Sequence, residues 1–183
     1  MAAVWHEGIV RRIVEIAPEV RTFFVEIQSP AHFEFRAGQF VTFDLPIGEK
    51  RAQRWRSYSI ANAPMDPEGL EFCIVRSPIG EGTKYFFEKV EIGSVLKFKG
   101  PDGAFFLPEK IEQDLVFIST GTGVAPFRSM LLDLKNSGQA HPREQSRQAR
   151  QDGGGAAEVR NHRRAAGEGH HGRPRAAAAG RLG

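Results

Sequence analysis

Arg56, Ser57, Tyr58, Ser59 and Ile60 run consecutively near the middle of the ordered-looking part of the sequence. On a strand, residues two apart share a face, so Arg56 and Tyr58 would set a fixed cation beside a flat aromatic ring. That pair suits a ligand with both a phosphate and a planar ring system. The competing reading is an ordinary edge strand with both side chains in solvent. Two glycine turns offer related chemistry: Gly80-Glu81-Gly82-Thr83 leads into a short helix over Lys84–Glu88, and Thr120-Gly121-Thr122-Gly123-Val124-Ala125-Pro126 leads into another over Phe127–Lys135. A helix N-terminus presents backbone N–H groups without partners and a partial positive charge, so each turn is a candidate anion site. Such turns are common and most bind nothing; two of them with an Arg-Ser-Tyr-Ser strand form a more specific constellation. Cys73 is the sole cysteine, which excludes an intramolecular disulfide and a cysteine-based metal site. No histidine stands near it in sequence to activate it, so it reads as a small packed side chain rather than a nucleophile.

The elements that must carry these residues can be read from the spacing. Residues 4–16 and 20–28 are rich in β-branched and aromatic residues and are separated by Ala17-Pro18-Glu19, which predicts a hairpin. Gly38 allows a tight turn into a third strand over Gln39–Leu45. The Arg56 motif, the alternating stretch Leu70–Arg76 and Gly93–Lys99 supply three more, with Thr83 as the expected N-cap of the intervening helix. Six antiparallel strands, short loops and one helix predict a mainly β fold, a small Greek-key barrel. The period then changes: Leu115-Val116-Phe117-Ile118-Ser119 is a continuous apolar run of the kind found in parallel sheets. Strand, glycine turn and helix make the first half of a nucleotide-binding βαβ unit.

Composition bounds the alternatives. The 183 residues carry a net charge of +3, but residues 1–136 hold 16 Lys and Arg against 18 Asp and Glu, while residues 137–183 hold 9 Arg and 4 acids. The basic balance therefore belongs to the last 47 residues, which contain no Phe, Trp, Tyr, Ile, Met or Lys and only Val159 and Leu182 as larger aliphatics. Such a segment buries too little apolar surface to offset about 1–2 kcal/mol per residue of backbone entropy, and a disordered tail is expected. Its abrupt change of composition reads as translation in a shifted frame. The rival reading, a nucleic-acid-binding tail, is disfavoured because arginine without interleaved aromatics makes a poor single-strand platform. His170 and His171, with His162 nearby, read as solvated, so no metal site is expected. With neither a leader-like start nor an apolar run of about 18 residues, a soluble, cytoplasmic chain is expected.

Taken in order, Ala37-Gly38-Gln39-Phe40, Arg56-Ser57-Tyr58-Ser59-Ile60, Cys73-Ile74-Val75-Arg76, Gly80-Glu81-Gly82-Thr83, Gly100-Pro101-Asp102-Gly103-Ala104-Phe105 and Gly121-Thr122-Gly123-Val124-Ala125-Pro126 resemble the ferredoxin-NADP reductase superfamily over residues 4 to about 136. The resemblance implies three parts: an FAD-binding β-barrel over 1–110, an incomplete NAD(P)-binding α/β domain over 111–136, and the tail over 137–183. It implies that Arg56 contacts flavin phosphate, that Tyr58 covers the isoalloxazine ring and that Ser59 hydrogen-bonds near N5, Tyr58 and Ser59 being the catalytic pair and Ser57 part of the same wall. Cys73, Ile74, Val75 and Arg76 would touch the ring and ribityl chain, Gly80, Gly82 and Thr83 the pyrophosphate, and Thr120, Gly121, Thr122 and Gly123 the nicotinamide nucleotide. The implied activity passes a hydride from NAD(P)H to FAD and electrons on to a separate acceptor, such as ferredoxin or an oxygenase component. The alternative is a flavin-binding module without competent NAD(P)H chemistry.

Overall fold

The computed structural model describes residues 4–29 and 33–138. The tail and the histidine reading therefore fall, from residue 139 onward, outside the described residues. Six strands form one antiparallel sheet: β1 (Trp5–Ala17), β2 (Val20–Ser29), β3 (Phe40–Asp44), β4 (Trp55–Ser59), β5 (Leu70–Val75) and β6 (Val95–Asp102). Their spatial order is β4-β3-β6-β1-β2-β5. The expected hairpin is present: Ala17 pairs with Val20 across Pro18-Glu19, and Glu19 adopts φ 59° at the tip. β6 returns to lie between β1 and β3, which gives the Greek-key connection.

Alternation decides which side chains go inside. Val41, Phe43, Phe72, Phe98, Val10, Phe23 and Val25 are fully buried, and Phe43 meets Phe72, Phe86 and Phe98 edge-to-face at ring separations of 5.0, 5.4 and 5.7 Å. The turn before β3 depends on glycine: Gly38 has φ +101°, and a Cβ there would stand 2.0 Å from the Phe105 carbonyl oxygen.

The helices depart from the sequence reading in detail. A single turn, α1 (Arg51–Arg54), precedes β4, where the sequence shows only a polar connection. α2 spans Glu81–Glu88, with Gly80 at its N-cap. Thr83 is thus inside the first turn rather than the cap, and its hydroxyl donates to Gly80 O at 2.9 Å while accepting from Ser77 N–H at 3.0 Å. A 3₁₀ turn over Gly121–Val124 runs directly into α3 (Ala125–Asn136), with Pro126 in its first turn. The expected strand over Leu115–Ser119 does not form. No other strand of the described residues pairs with it, so its backbone has no ladder and Val116 and Ile118 remain 81% and 84% exposed. α3 instead docks on the barrel, with Ser129 and Met130 buried.

Candidate functional site

β4 and β5 occupy the two ends of the strand order, and where they meet the barrel is joined by few bonds. Ala61 N–H donates to Glu71 O at 2.8 Å, and the Asn62 side chain donates to Gly69 O at 2.7 Å and accepts from Glu71 N–H at 2.9 Å. Beyond this seam the two strands part. The hydrogen-bond phase shows what faces the slit between them. Ile60 N–H and Leu45 N–H pair across β3 and β4, with Gln39 O and Arg54 O respectively. In an antiparallel ladder bonded positions alternate, so Tyr58 and Arg56 direct their main-chain groups to β3 while Ser57 and Ser59 direct theirs to the open edge. On β5, Glu71 reaches the seam and Arg76 N–H reaches Glu19 O, so Cys73 and Val75 face the slit and Ile74 pairs with β2. Donors and acceptors from Ser57, Ser59, Cys73 and Val75 thus line the two edges.

Arg56 and Tyr58 are the side chains beside this slit that could meet a phosphate and a ring. Arg56 and Tyr58 lie opposite Phe43 and Val41, both core residues, so the sequence reading that they share a face holds. The Tyr58 ring rests against Phe86 at 5.2 Å and Phe43 at 5.9 Å. Burial raises its phenol to about 12, against a smaller downward pull from the Arg56 charge, so it stays a neutral hydrogen-bonding group at ordinary pH. Arg56 runs across the start of α2. A Cβ at Gly82 would lie 2.8 Å from Arg56 Cγ, so glycine is what lets the arginine stem cross the helix end. Its guanidinium is anchored through one nitrogen, which donates to Ala52 O at 3.0 Å and Trp55 O at 2.7 Å. The first bond of α2 is Lys84 N–H to Gly80 O at 2.9 Å, which leaves the N–H groups of Glu81, Gly82 and Thr83 without acceptors inside the helix. A guanidinium and helix-start N–H groups are donors of the kind that could hold phosphate oxygens.

The remaining candidate residues sort by geometry. Ser57 and Ser59 face away from Arg56 and Tyr58, and the Ser57 hydroxyl bonds Thr42 Oγ1 at 2.9 Å, so both serines meet the slit chiefly through main chain. The Ile74 side chain is part of the core cluster and is directed away from the slit. Arg76 is braced by Glu88 at 3.0 Å and Glu19 at 3.6 Å, at the far end of β5. The Cys73 thiol is pushed up first by burial and then by the Glu71 carboxylate, which keeps it protonated and a poor nucleophile. Gly121, Thr122 and Gly123 sit on the 3₁₀ turn that lies against β5, with Thr120 at its N-cap and Gly121 at φ +51°. β5 therefore borders the slit and lies near the glycine turn. Asn62, Glu71, Arg128 and Ser129 were not singled out by the sequence; each is a polar residue whose partner is distant in the chain.

Residues 7–107 match the family model of the oxidoreductase FAD-binding domain. The naphthalene 1,2-dioxygenase system ferredoxin--NAD(P)(+) reductase component of Pseudomonas putida is 34% identical over 136 residues, 74% of this chain and 39% of that protein. The phenol hydroxylase P5 protein of Acinetobacter pittii is 30% identical over 135 residues, 74% of this chain and 36% of that protein. The chain thus spans little more than a third of the length of these relatives. A ferredoxin NADP+ reductase from Neisseria gonorrhoeae, solved with bound FAD and NADP, superposes with a TM-score of 0.58 at 28% identity, covering 80% of this chain and 55% of that one. With a Greek-key barrel and with residues 7–107 matched to the family model, the chain belongs to the oxidoreductase FAD-binding domain family, among the ferredoxin-NADP reductase-like proteins.

Proposed function

We propose that this chain holds FAD in an oxidoreductase that takes reducing equivalents from NAD(P)H and passes electrons to a separate protein acceptor, such as a ferredoxin or an oxygenase component. The observation that carries the reading is the gap between the unpaired edges of β4 and β5, with Arg56 crossing the first turn of α2 beside it. A flavin bound there would supply the redox chemistry between the nicotinamide nucleotide and the acceptor. The protein's part is position and electrostatics. Arg56 and the N–H groups of Gly82 and Thr83 hold the phosphates, Tyr58 covers the ring without adding charge, and Ser59 stands at the reactive edge. Cys73 and Val75 offer main-chain bonds to the ring and ribityl chain, with Ile74 packing the strand from behind and Arg76 holding its far end. Gly80 lets the chain enter α2.

The domain reading follows the same lines: residues 1–110 as the flavin barrel and residues 111–136 as the start of a nicotinamide-nucleotide domain, with Thr120, Gly121, Thr122 and Gly123 receiving the nucleotide. Among the described residues no helix is long and apolar enough to cross a membrane, and the cytoplasm is the compartment we propose for an NAD(P)H-dependent enzyme.

The test is to titrate the purified chain with FAD, follow flavin fluorescence, and then add NADH or NADPH without oxygen. Saturable FAD binding is expected, and Arg56→Ala should weaken it about tenfold or more, the cost of a charge-assisted contact, with the barrel still folded. Bleaching on nucleotide addition supports the full reductase; bound flavin that stays oxidised supports the alternative of a flavin module without nucleotide chemistry. A chain that takes up no FAD overturns both.

A further inference from the structure

The seam that joins β4 to β5 is also the surface that α3 grips. The Arg128 guanidinium donates to Ala61 O at 2.7 Å and to the Glu71 carboxylate at 2.5 Å. Next to it, the Ser129 hydroxyl donates to Asn62 O at 2.6 Å. Two consecutive helix residues thus bind two consecutive carbonyls, while the Asn62 side chain spans to Gly69 and Glu71. Most of this set is shielded from water: Ser129 is fully buried, Asn62 is 3% exposed and the Glu71 side chain 11%, whereas the Arg128 side chain reaches in from the surface at 46%. A buried polar group that loses its partner costs far more than the bond's net contribution, so Asn62, Glu71 and Ser129 resist separation, and Arg128 adds its bonds to Ala61 O and Glu71 from the rim.

The position of this clasp gives it a consequence beyond fastening a helix. Ser59 lies two residues before Ala61, and Cys73 two residues after Glu71, so the clasped residues end the slit and set its width there. A ligand bridging the main-chain edges of Ser59 and Cys73 would fix the same segment from the other side. α3, in turn, carries the 3₁₀ glycine turn at its start. We propose that Asn62, Glu71, Arg128 and Ser129 are positioning residues that couple flavin occupancy of the slit to docking of α3, and thereby to the placement of the glycine turn against β5. The proposal rests on the flavin reading given above. Coupling is reciprocal: whatever the docked helix adds to flavin affinity, flavin adds to helix docking.

The experiment measures both directions. Backbone amide hydrogen exchange across α3 is followed with and without saturating FAD, and FAD dissociation constants are measured for Ser129→Ala, Arg128→Gln and the double variant. FAD is expected to slow exchange in α3 about fivefold, at the low end of common coupling strengths. The double variant should raise the FAD dissociation constant by a similar factor and abolish that slowing. Arg128→Lys, which keeps a cation beside Glu71, should recover part of both. Leu131→Ala, at a half-exposed position of the same helix, should alter neither, which separates the clasp from general loosening of α3. Ser129→Ala alone removes one hydroxyl and carries the test if the double variant does not fold. Exchange in α3 that ignores FAD, or an unchanged dissociation constant in the variants, overturns the coupling while leaving flavin binding in place. A wild-type chain that binds no FAD overturns the flavin reading and the coupling with it.

Discussion

Phe72 and Phe117 both stand in short runs rich in Ile, Val and Leu, Leu70–Val75 and Leu115–Ser119, and the two runs come to opposite ends. The first is β5, paired along its length with β2 and held at its start by Asn62; Phe72 is fully buried. The second makes no ladder among the described residues, and the Phe117 ring packs on the Phe127 ring at 4.9 Å. Apolar content and β-propensity are similar in both. What separates them is a neighbouring strand, because a strand is stabilised by cross-strand partners rather than by its own residues. The barrel is therefore a cooperative object, whereas the segment after it is anchored mainly through α3.

That contrast can be broken most directly at the centre of the barrel. Phe43→Ala removes a ring that touches Phe72, Phe86 and Phe98, and is expected to cost about 3–5 kcal/mol, read as a lower urea midpoint with loss of all strand signal in one transition. A barrel that loses one strand pair at a time would show that the two regions do not differ in cooperativity. A smaller effect comes from the Tyr58 ring packed on Phe86 and Phe43. The Tyr58 phenol, raised to about 12 from an unfolded value of about 10, binds its proton more tightly in the folded chain. Its contribution is complete below about pH 10 and is lost as pH climbs through about 12. Urea midpoints measured across that window should fall further for wild type than for Tyr58→Phe; equal slopes would mean that the ring is not held in a dry site. The smallest effect belongs to the unpaired run: Val116→Ser and Ile118→Ser should each change stability by less than about 0.5 kcal/mol. A larger loss in the same measurement would reveal that this run is packed.

Much of the architecture was legible because it is local. Pro18-Glu19 between two β-rich runs announces the first hairpin, Pro126 marks the start of α3, and period-two alternation puts Arg56 and Tyr58 on one face. The site was legible to the same depth: residue types for phosphate and ring are in the sequence, but their hydrogen-bond phase is not. That phase turns Ser57 and Ser59 to the slit by their main chain and takes Ile74 out of it. It depends on register with β3 and β2, which is set over tens of residues. The docking of α3 was harder still to read. Arg128 and Ser129 are ordinary helix residues until Ala61, Asn62 and Glu71 arrive from 57 to 67 positions away.

A ladder between strands belongs to the peptide backbone, so nearly any substitution leaves it in place. The seam at Asn62 is different in kind, since a side-chain amide there does the work of a peptide group. It is therefore inherited through a single codon. Genetic drift can rewrite most of the barrel's outer surface without opening it, yet one base change at this position removes two of the bonds that hold its ends together.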